Sequence, residues 1–117
     1  MIWDSRVEVH VFNQPTDMRK SHDGLAAICK HVMGCNPLSG QVFVFMNKRR
    51  DRVKSLFWDG TGLCLYYKRL EQGQFTNLWQ RNAPNRLSTM ELRLILDGAK
   101  LEGKLPLSPE EFILKSN

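Results

Sequence analysis

A short run of basic residues is the strongest chemical signal in the sequence. Five of the seven residues from 48 to 54 are cationic, namely Lys48, Arg49, Arg50, Arg52 and Lys54. Guanidinium groups bind phosphate oxygens in a two-pronged geometry, and ammonium groups bind them as point charges. A rigid turn that carries this run is therefore a candidate for contact with the phosphates of a nucleic acid, or with acidic side chains of a partner protein.

Positive charge is concentrated in the middle of the chain. The 117 residues have a net charge of +5. Residues 46–86 hold nine basic and three acidic side chains, whereas residues 1–45 are neutral and residues 87–117 have a net charge of −1. Charge localised in this way suits a polyanionic partner better than it serves general solubility. The further candidate DNA contacts are Arg19, Lys20, Lys68, Arg69, Arg81 and Arg86.

Aromatic residues are interleaved with these cations. Trp58, Tyr66 and Tyr67 are of the type that stacks on nucleic-acid bases. Such residues more often belong to a core, and this interpretation is favoured for Trp58.

Two kinds of metal site were weighed and neither is predicted. Cys29, His31 and Cys35 lie within seven residues, with His22 upstream. Zinc usually takes two close ligand pairs, and no second pair follows. We expect the three cysteines, of which Cys64 is the third, to be reduced and partly buried. The acidic residues that a metal-dependent nuclease would need each suit a helix cap or a turn instead, namely Asp17, Asp23, Asp51 and Asp59.

Other catalytic motifs are also missing from the sequence. Gly60-Thr61-Gly62 lacks the further glycine and the lysine of a phosphate-binding loop, and no Gly-x-Ser-x-Gly elbow occurs. We therefore expect no enzyme, no cofactor and no small-molecule substrate.

The N-terminal third predicts a strand followed by a helix. Valines alternate with polar residues from Val7 to Val11, which is the period of a half-buried strand. Apolar residues then recur at the spacing of one helix face, at Leu25, Ile28, Cys29 and Val32. Candidate caps precede this stripe at Thr16, Asp17 and Ser21, and Gly34 is placed to end the helix.

The centre of the chain predicts three strands. Residues 41–46 are apolar on both faces, a pattern typical of the middle of a covered sheet. Residues 53–58 and 63–68 flank a favourable hairpin turn at 59–62. A symmetric turn sets Phe57 opposite Cys64, Leu56 opposite Leu65 and Lys54 opposite Tyr67. One face of the hairpin then carries Lys54, Leu56, Trp58, Leu63, Leu65 and Tyr67. We expect most of this face to be buried in the core and its basic end to be exposed to solvent.

The C-terminal third predicts helices. Ser88 and Glu91 form a capping box, with Leu87 and Leu92 as the hydrophobic staple across it, and Gly98 is placed to end that helix. The pattern of a capping box with a hydrophobic staple recurs from Ser108 to Phe112 and predicts another helix there. The predicted fold is α+β, an antiparallel meander with helices packed against it, in one domain over residues 1–117.

The sequence also indicates where in the cell the protein is located. No run approaches the roughly 18 apolar residues that a membrane span requires, and the first residues lack the pattern of a secretion signal. We expect a cytoplasmic protein without a membrane partner.

Three segments resemble one family closely. They are TDMRKSHDGL (Thr16 to Leu25), FVFMNKRRDRVKSLFWDGTGLCLYYKRLEQGQF (Phe43 to Phe75) and the segment from Leu87 to Glu102. The sequence is similar to the TnpB-type accessory protein, the second open reading frame product, of the insertion-sequence sixty-six family of bacterial transposable elements. The resemblance covers about residues 6–102, and residues 103–117 form an extension. Departures from the family pattern occur at His22, Met46 and the segment from Phe75 to Arg86.

The resemblance implies a protein encoded beside a larger transposase, which carries the catalytic carboxylates. We expect a non-catalytic accessory factor of DNA transposition, whose basic hairpin contacts the DNA backbone and whose other faces dock the transposase or a second accessory protein. The alternatives are a protein-interaction subunit without DNA contact and, more remotely, a metal-dependent nuclease.

Overall fold

The computed structural model describes residues 4–79, 85–98, 101–102 and 105–106. The first half of the chain forms β1 (Val9–Pro15), α1 (His22–His31), β2 (Val42–Met46), β3 (Arg52–Trp58) and β4 (Leu63–Arg69). The second half forms β5 (Arg86–Leu87), α2 (Thr89–Leu96) and a separate two-stranded ribbon of β6 (Leu101–Glu102) and β7 (Leu105–Pro106). The helix predicted from Ser108 lies outside the described residues.

A five-stranded sheet in the order β4-β3-β2-β1-β5 confirms the α+β class. Strands β2, β3 and β4 form the predicted antiparallel meander, and the predicted hairpin register is confirmed at all three cross-strand pairs. Asp59 holds the turn, because its Oδ1 accepts hydrogen bonds from the backbone N–H groups of Thr61 (2.9 Å) and Gly62 (2.8 Å).

The sheet as a whole is mixed, because it adds to the predicted antiparallel meander a parallel strand that was not predicted. Strand β1 runs parallel to β2, with Val9 beside Val42 and Val11 beside Val44. The physical reason is the connection: a parallel pair requires a crossover, and the segment that contains α1 supplies it. The ends of β1 and β2 therefore meet at one end of the sheet, where Thr16 N donates to Met46 O at 2.9 Å.

Both faces of the sheet are covered, as the doubly apolar β2 predicts. Phe43 and Phe45 face α1, where Leu25 and Cys29 are fully buried. Val42, Val44 and Met46 face α2. Phe75, Leu87, Leu92 and Ile95 complete the buried cluster on that side.

The helix ends follow local chemistry. Helix α2 has the predicted capping box, in which Ser88 Oγ accepts from Glu91 N and Glu91 Oε1 accepts from Ser88 N. It stops before Gly98, which has a φ of 103°. Helix α1 starts after Ser21, whose side chain makes no capping hydrogen bond, and ends one residue before Val32. Val32 is therefore 62% exposed rather than part of the buried stripe.

Candidate nucleic-acid interface

A groove of about 460 Å³ opens at the end of the sheet where β1 and β2 finish. We call it the basic groove. Four of its lining residues are cations, namely Arg19, Lys48, Arg49 and Arg52. The other lining residues are Thr16, Asp17, Met18, Asn47 and Tyr67. Residues that follow neighbouring parallel strands meet at one edge of a sheet, and this topology brings the segment 16–19 to the turn that follows β2.

Asn47 organises the turn that carries three of these cations. Its Oδ1 accepts hydrogen bonds from the backbone N–H groups of Asp51 and Arg52, both at 3.0 Å. Its Nδ2 donates to Asp51 Oδ1 at 2.6 Å, and this bond holds the pKa of the Asp51 carboxyl below its usual value. Asn47 was not predicted as a site residue. The signal was present, because an asparagine just after a strand and four residues before an aspartate is typical of a side-chain-stabilised turn.

Three groove cations are available to an anion. Within residues 4–79 and 85–98, Lys48, Arg49 and Arg52 form no ion pair. Lys48 and Arg49 are exposed and Arg52 is half-buried, with a buried Nε that has no hydrogen-bond partner. A buried donor without an acceptor is costly, and the positive charge of Arg52 has no ion-pair partner among the described residues to offset that cost.

The fourth groove cation, Arg19, has an acidic neighbour. Its guanidinium contacts both carboxylate oxygens of Asp17, the shortest contact being 2.6 Å, and these bonds lower the pKa of Asp17 to about 2. The Arg19 side chain is 91% exposed. Exposed ion pairs contribute little to stability because water and salt screen them, so Arg19 can exchange this carboxylate for another anion.

Arg50, a predicted DNA contact, does not line the groove. Its backbone has a φ of 58°, and its side chain contacts the segment 74–75. There the guanidinium donates to Gln74 Oε1 at 3.1 Å and to the carbonyl oxygen of Phe75 at 3.4 Å. Arg50 therefore ties the turn to the segment that contributes Phe75 to the core.

Lys54 is buried, so it does not form the exposed basic end that the strand pattern predicted. It is 5% exposed, and its ammonium group donates to the carbonyl oxygens of Met18 (2.7 Å) and Lys20 (2.6 Å). The segment between β1 and α1 folds over this end of the hairpin and excludes water. Lys54 thereby holds in place the segment that carries Arg19, and burial lowers the pKa of its ammonium group.

The candidate cations of β4 separate to the two faces of the sheet. Lys68 lies on the α2 face, where its Nζ donates to the carbonyl oxygen of Leu96 at the C-terminal end of α2. Arg69 lies opposite Arg52 on the α1 face and forms an ion pair with Glu71 at 3.1 Å. Arg69 can thus extend the basic groove, whereas Lys68 serves the packing of α2.

The remaining candidates lie outside the groove. Lys20 is exposed beside it on the same segment as Arg19. Arg86 lies on β5, at the sheet edge farthest from β4, and pairs with Glu8 at 3.8 Å. Arg81 lies outside the described residues.

One of the three interleaved aromatics lines the groove. Tyr67 is 49% exposed, and the Lys54 ammonium lies 4.7 Å from the centre of its ring. Tyr66 packs instead against the cluster beneath α2. Trp58 is half-buried at the other end of the hairpin.

Within the part of the chain that the structure describes, no three His, Cys, Asp or Glu side chains form a group that could hold a metal ion. Burial raises the pKa of the Cys29 thiol to about 12, which disfavours the thiolate that binds zinc. All three cysteines are unpaired; Cys29 is buried, and Cys35 and Cys64 are half-buried, as predicted.

Within the described ranges, no helix has both the length and the apolar character needed to span a bilayer.

Comparisons with known proteins agree with the resemblance noted in the sequence. The profile of the family described as "IS66 Orf2 like protein" matches residues 7–105. Two proteins of Sinorhizobium fredii (strain NBRC 101917 / NGR234) are similar to this chain. The uncharacterized protein y4jC is 36% identical over 115 residues, which cover 97% of this chain and 81% of y4jC. The uncharacterized protein y4hO is 34% identical over 92 residues, which cover 79% of this chain and 80% of y4hO.

No solved structure matches this chain. The family match covers most of the sequence, including every residue of the basic groove. The protein therefore belongs to the IS66 Orf2-like family, whose members have an accessory role associated with transposition of insertion sequences.

Proposed function

We propose that this protein is a non-catalytic accessory factor of DNA transposition that contacts the DNA backbone through the basic groove and docks a separate transposase. The observation that carries the proposal is the convergence of Arg19, Lys48, Arg49 and Arg52 on one groove, with a single carboxylate, Asp17, among them. Clustered cations on a rigid turn bind phosphates and fix the position of a protein on DNA without reading its sequence.

Electrostatics favours a polyanion over a single acidic residue as the partner. The groove cations come from the segment between β1 and α1, from the turn after β2 and from β3. They therefore offer several separate contacts to an anionic partner rather than one two-pronged contact. Three of them have no ion pair among the described residues. A partner with regularly spaced charges can neutralise all of them together, and DNA has one negative charge for each ~1.7 Å of duplex.

The transposase would dock on a different surface. Val32 and Leu38, on the segment that follows α1, are 62% and 51% exposed, and neither lines the basic groove. They are the two exposed apolar side chains that this segment offers to a partner protein. We expect Val32→Asp and Leu38→Asp together to prevent capture of the co-expressed transposase and to leave DNA affinity unchanged.

The DNA contact is tested by fluorescence anisotropy over a salt series, with a labelled duplex that carries the terminal repeat of the element and a scrambled duplex. If the four groove cations neutralise four phosphates, the logarithm of the binding constant should fall against the logarithm of the salt concentration with a slope of about −3.6. We expect Arg19→Glu, Arg49→Glu and Arg52→Glu in one chain to abolish binding. Arg6→Glu, Lys30→Glu and Arg93→Glu in one chain reverse three exposed charges outside the groove, so this variant is the matched control and should retain most of the affinity.

Other outcomes would favour other functions. Absence of binding at low salt would remove the DNA contact. Nuclease-resistant capture of the transposase that is lost in the triple variant would then support a protein-interaction subunit. Metal-dependent cleavage of DNA that is lost in Asp17→Asn would instead support the nuclease.

A further inference from the structure

Two chemically different kinds of group line the basic groove. They are the guanidinium groups of Arg19, Arg49 and Arg52 and the half-exposed ring of Tyr67. We propose that the groove binds one unpaired nucleotide of a single strand, with a phosphate among the guanidinium groups and a base on the ring of Tyr67. This proposal rests on the proposed function and names the form of DNA that the same site recognises.

The size of the groove supports a single nucleotide. Its volume of about 460 Å³ lies within the range of roughly 300–1,000 Å³ that is typical of sites for small organic molecules. A duplex keeps its bases stacked inside, so it can only lie across the mouth of such a groove. An unstacked nucleotide can place both its phosphate and its base inside.

The groups that would bind the phosphate are cations without an ion-pair partner among the described residues. Arg49 and Arg52 come from the two sides of the turn that Asn47 holds, and neither forms an ion pair among the described residues. The Nε of Arg52 is buried without a hydrogen-bond partner. Nearby anionic charge would offset the cost of this buried, unpaired group. Lys48 adds a further exposed positive charge.

The group that would stack on the base is a tyrosine ring held in position by Lys54. The Lys54 ammonium lies 4.7 Å from the centre of the Tyr67 ring and is itself fixed by two carbonyl oxygens. A cation over one ring face restrains the ring by cation–π attraction. Since 49% of Tyr67 remains exposed, the ring keeps surface on which a base can stack. An acidic protein segment would satisfy the arginines but would leave this ring surface unused.

The test compares three labelled probes of about twelve nucleotides, a length within the known range of single-strand sites. They are a single strand, the corresponding duplex and a strand of equal charge whose bases are replaced by abasic sites. Anisotropy gives the affinity for each at one salt concentration. We expect the single strand to bind most tightly, and the abasic strand to bind about tenfold more weakly, since stacking contributes about 1–3 kcal/mol per base.

Two variants of Tyr67 separate stacking from folding. Tyr67→Leu keeps an apolar cover over Lys54 but removes the ring, and we expect it to weaken single-strand binding about tenfold with little effect on the duplex. Tyr67→Phe keeps the ring and should bind like the wild type. Thermal unfolding of both variants establishes that the fold is retained.

Equal affinity for the normal and abasic strands, or an unchanged single-strand affinity in Tyr67→Leu, would overturn the unpaired-nucleotide proposal. If the duplex then still binds with a salt slope that depends on Arg49 and Arg52, the proposed function stands. Failure of all three probes to bind at low salt would overturn both. In that case, binding of labelled polyglutamate that is lost on substitution of Arg49 and Arg52 would assign the groove to an acidic protein segment.

Discussion

The ammonium group of Lys54 lies between the ring of Tyr67 and the segment that joins β1 to α1. It is 4.7 Å from the ring centre and within hydrogen-bond distance of the carbonyl oxygens of Met18 and Lys20. One buried lysine therefore fixes two walls of the basic groove, the aromatic wall on β4 and the segment that carries Arg19. Lys54 is a positioning residue, although its sequence context suggested a direct contact with DNA.

Replacement of Lys54 by methionine should destabilise the fold. Methionine fills a similar volume but leaves the carbonyl oxygens of Met18 and Lys20 without their donor, and an unpaired buried polar group costs about 1–3 kcal/mol. We expect the free energy of unfolding, measured by chemical denaturation, to fall by about 2–4 kcal/mol. Lys20→Met, which removes an exposed charge on the same segment, is the control and should change it by less than about 0.5 kcal/mol. An equal effect of both variants would contradict the positioning role.

Arg49 and Arg50 are sequence neighbours with opposite expected phenotypes. Arg49→Gln should lower DNA affinity and reduce the salt slope by about 0.9 while the unfolding midpoint stays constant. Arg50→Gln loses the bonds to Gln74 and Phe75, so it should lower stability by about 1 kcal/mol with little change in the salt slope. Anisotropy and denaturant titration of the two proteins side by side distinguish these effects. The reverse assignment would mean that Arg50 faces the DNA.

Loss of the Asn47 side chain should affect both folding and binding. Asn47→Ala leaves the N–H groups of Asp51 and Arg52 without their acceptor, and we expect a loss of about 1–3 kcal/mol in unfolding free energy and weaker DNA binding. Asn47→Asp keeps the acceptor but places a carboxylate beside Asp51, so its stability should be intermediate at neutral pH. An alanine variant with wild-type stability and affinity would show that the turn does not depend on Asn47.

The hairpin turn should contribute a pH-dependent term to stability. Hydrogen bonds from the Thr61 and Gly62 backbone lower the pKa of Asp59 to about 2 in the folded chain, from an ordinary value of 3.8. Between pH 4 and 2 the unfolded chain therefore binds a proton that the folded chain does not, and stability falls as the pH falls. Asp59→Asn should be less stable than the wild type at pH 7 and should lose less on acidification. Thermal midpoints across this pH range test the expectation, and parallel curves for the two proteins would contradict it.

Local patterns in the sequence were sufficient for the hairpin of β3 and β4, the central place of β2 and the start of α2, but not for the pairing of β1. The spacing around residues 59–62 specified the partner of each strand residue, because a two-strand register follows from the turn. The apolar residues on both faces of β2 specified a central, doubly covered strand. Ser88 and Glu91 specified the start of α2, because a capping box acts within four consecutive residues.

The tertiary structure alone decided which cations reach the groove. Alternation along a strand indicates a face, but it does not say which segment covers that face. Lys54 is buried because the segment 16–20 folds over the hairpin, and Arg50 lies outside the groove because its guanidinium bonds to Gln74 and Phe75. Arg19 joins Arg49 because β1 and β2 are parallel and end together. These are contacts between segments distant in sequence, so composition and period determine the presence of a basic site but not its members.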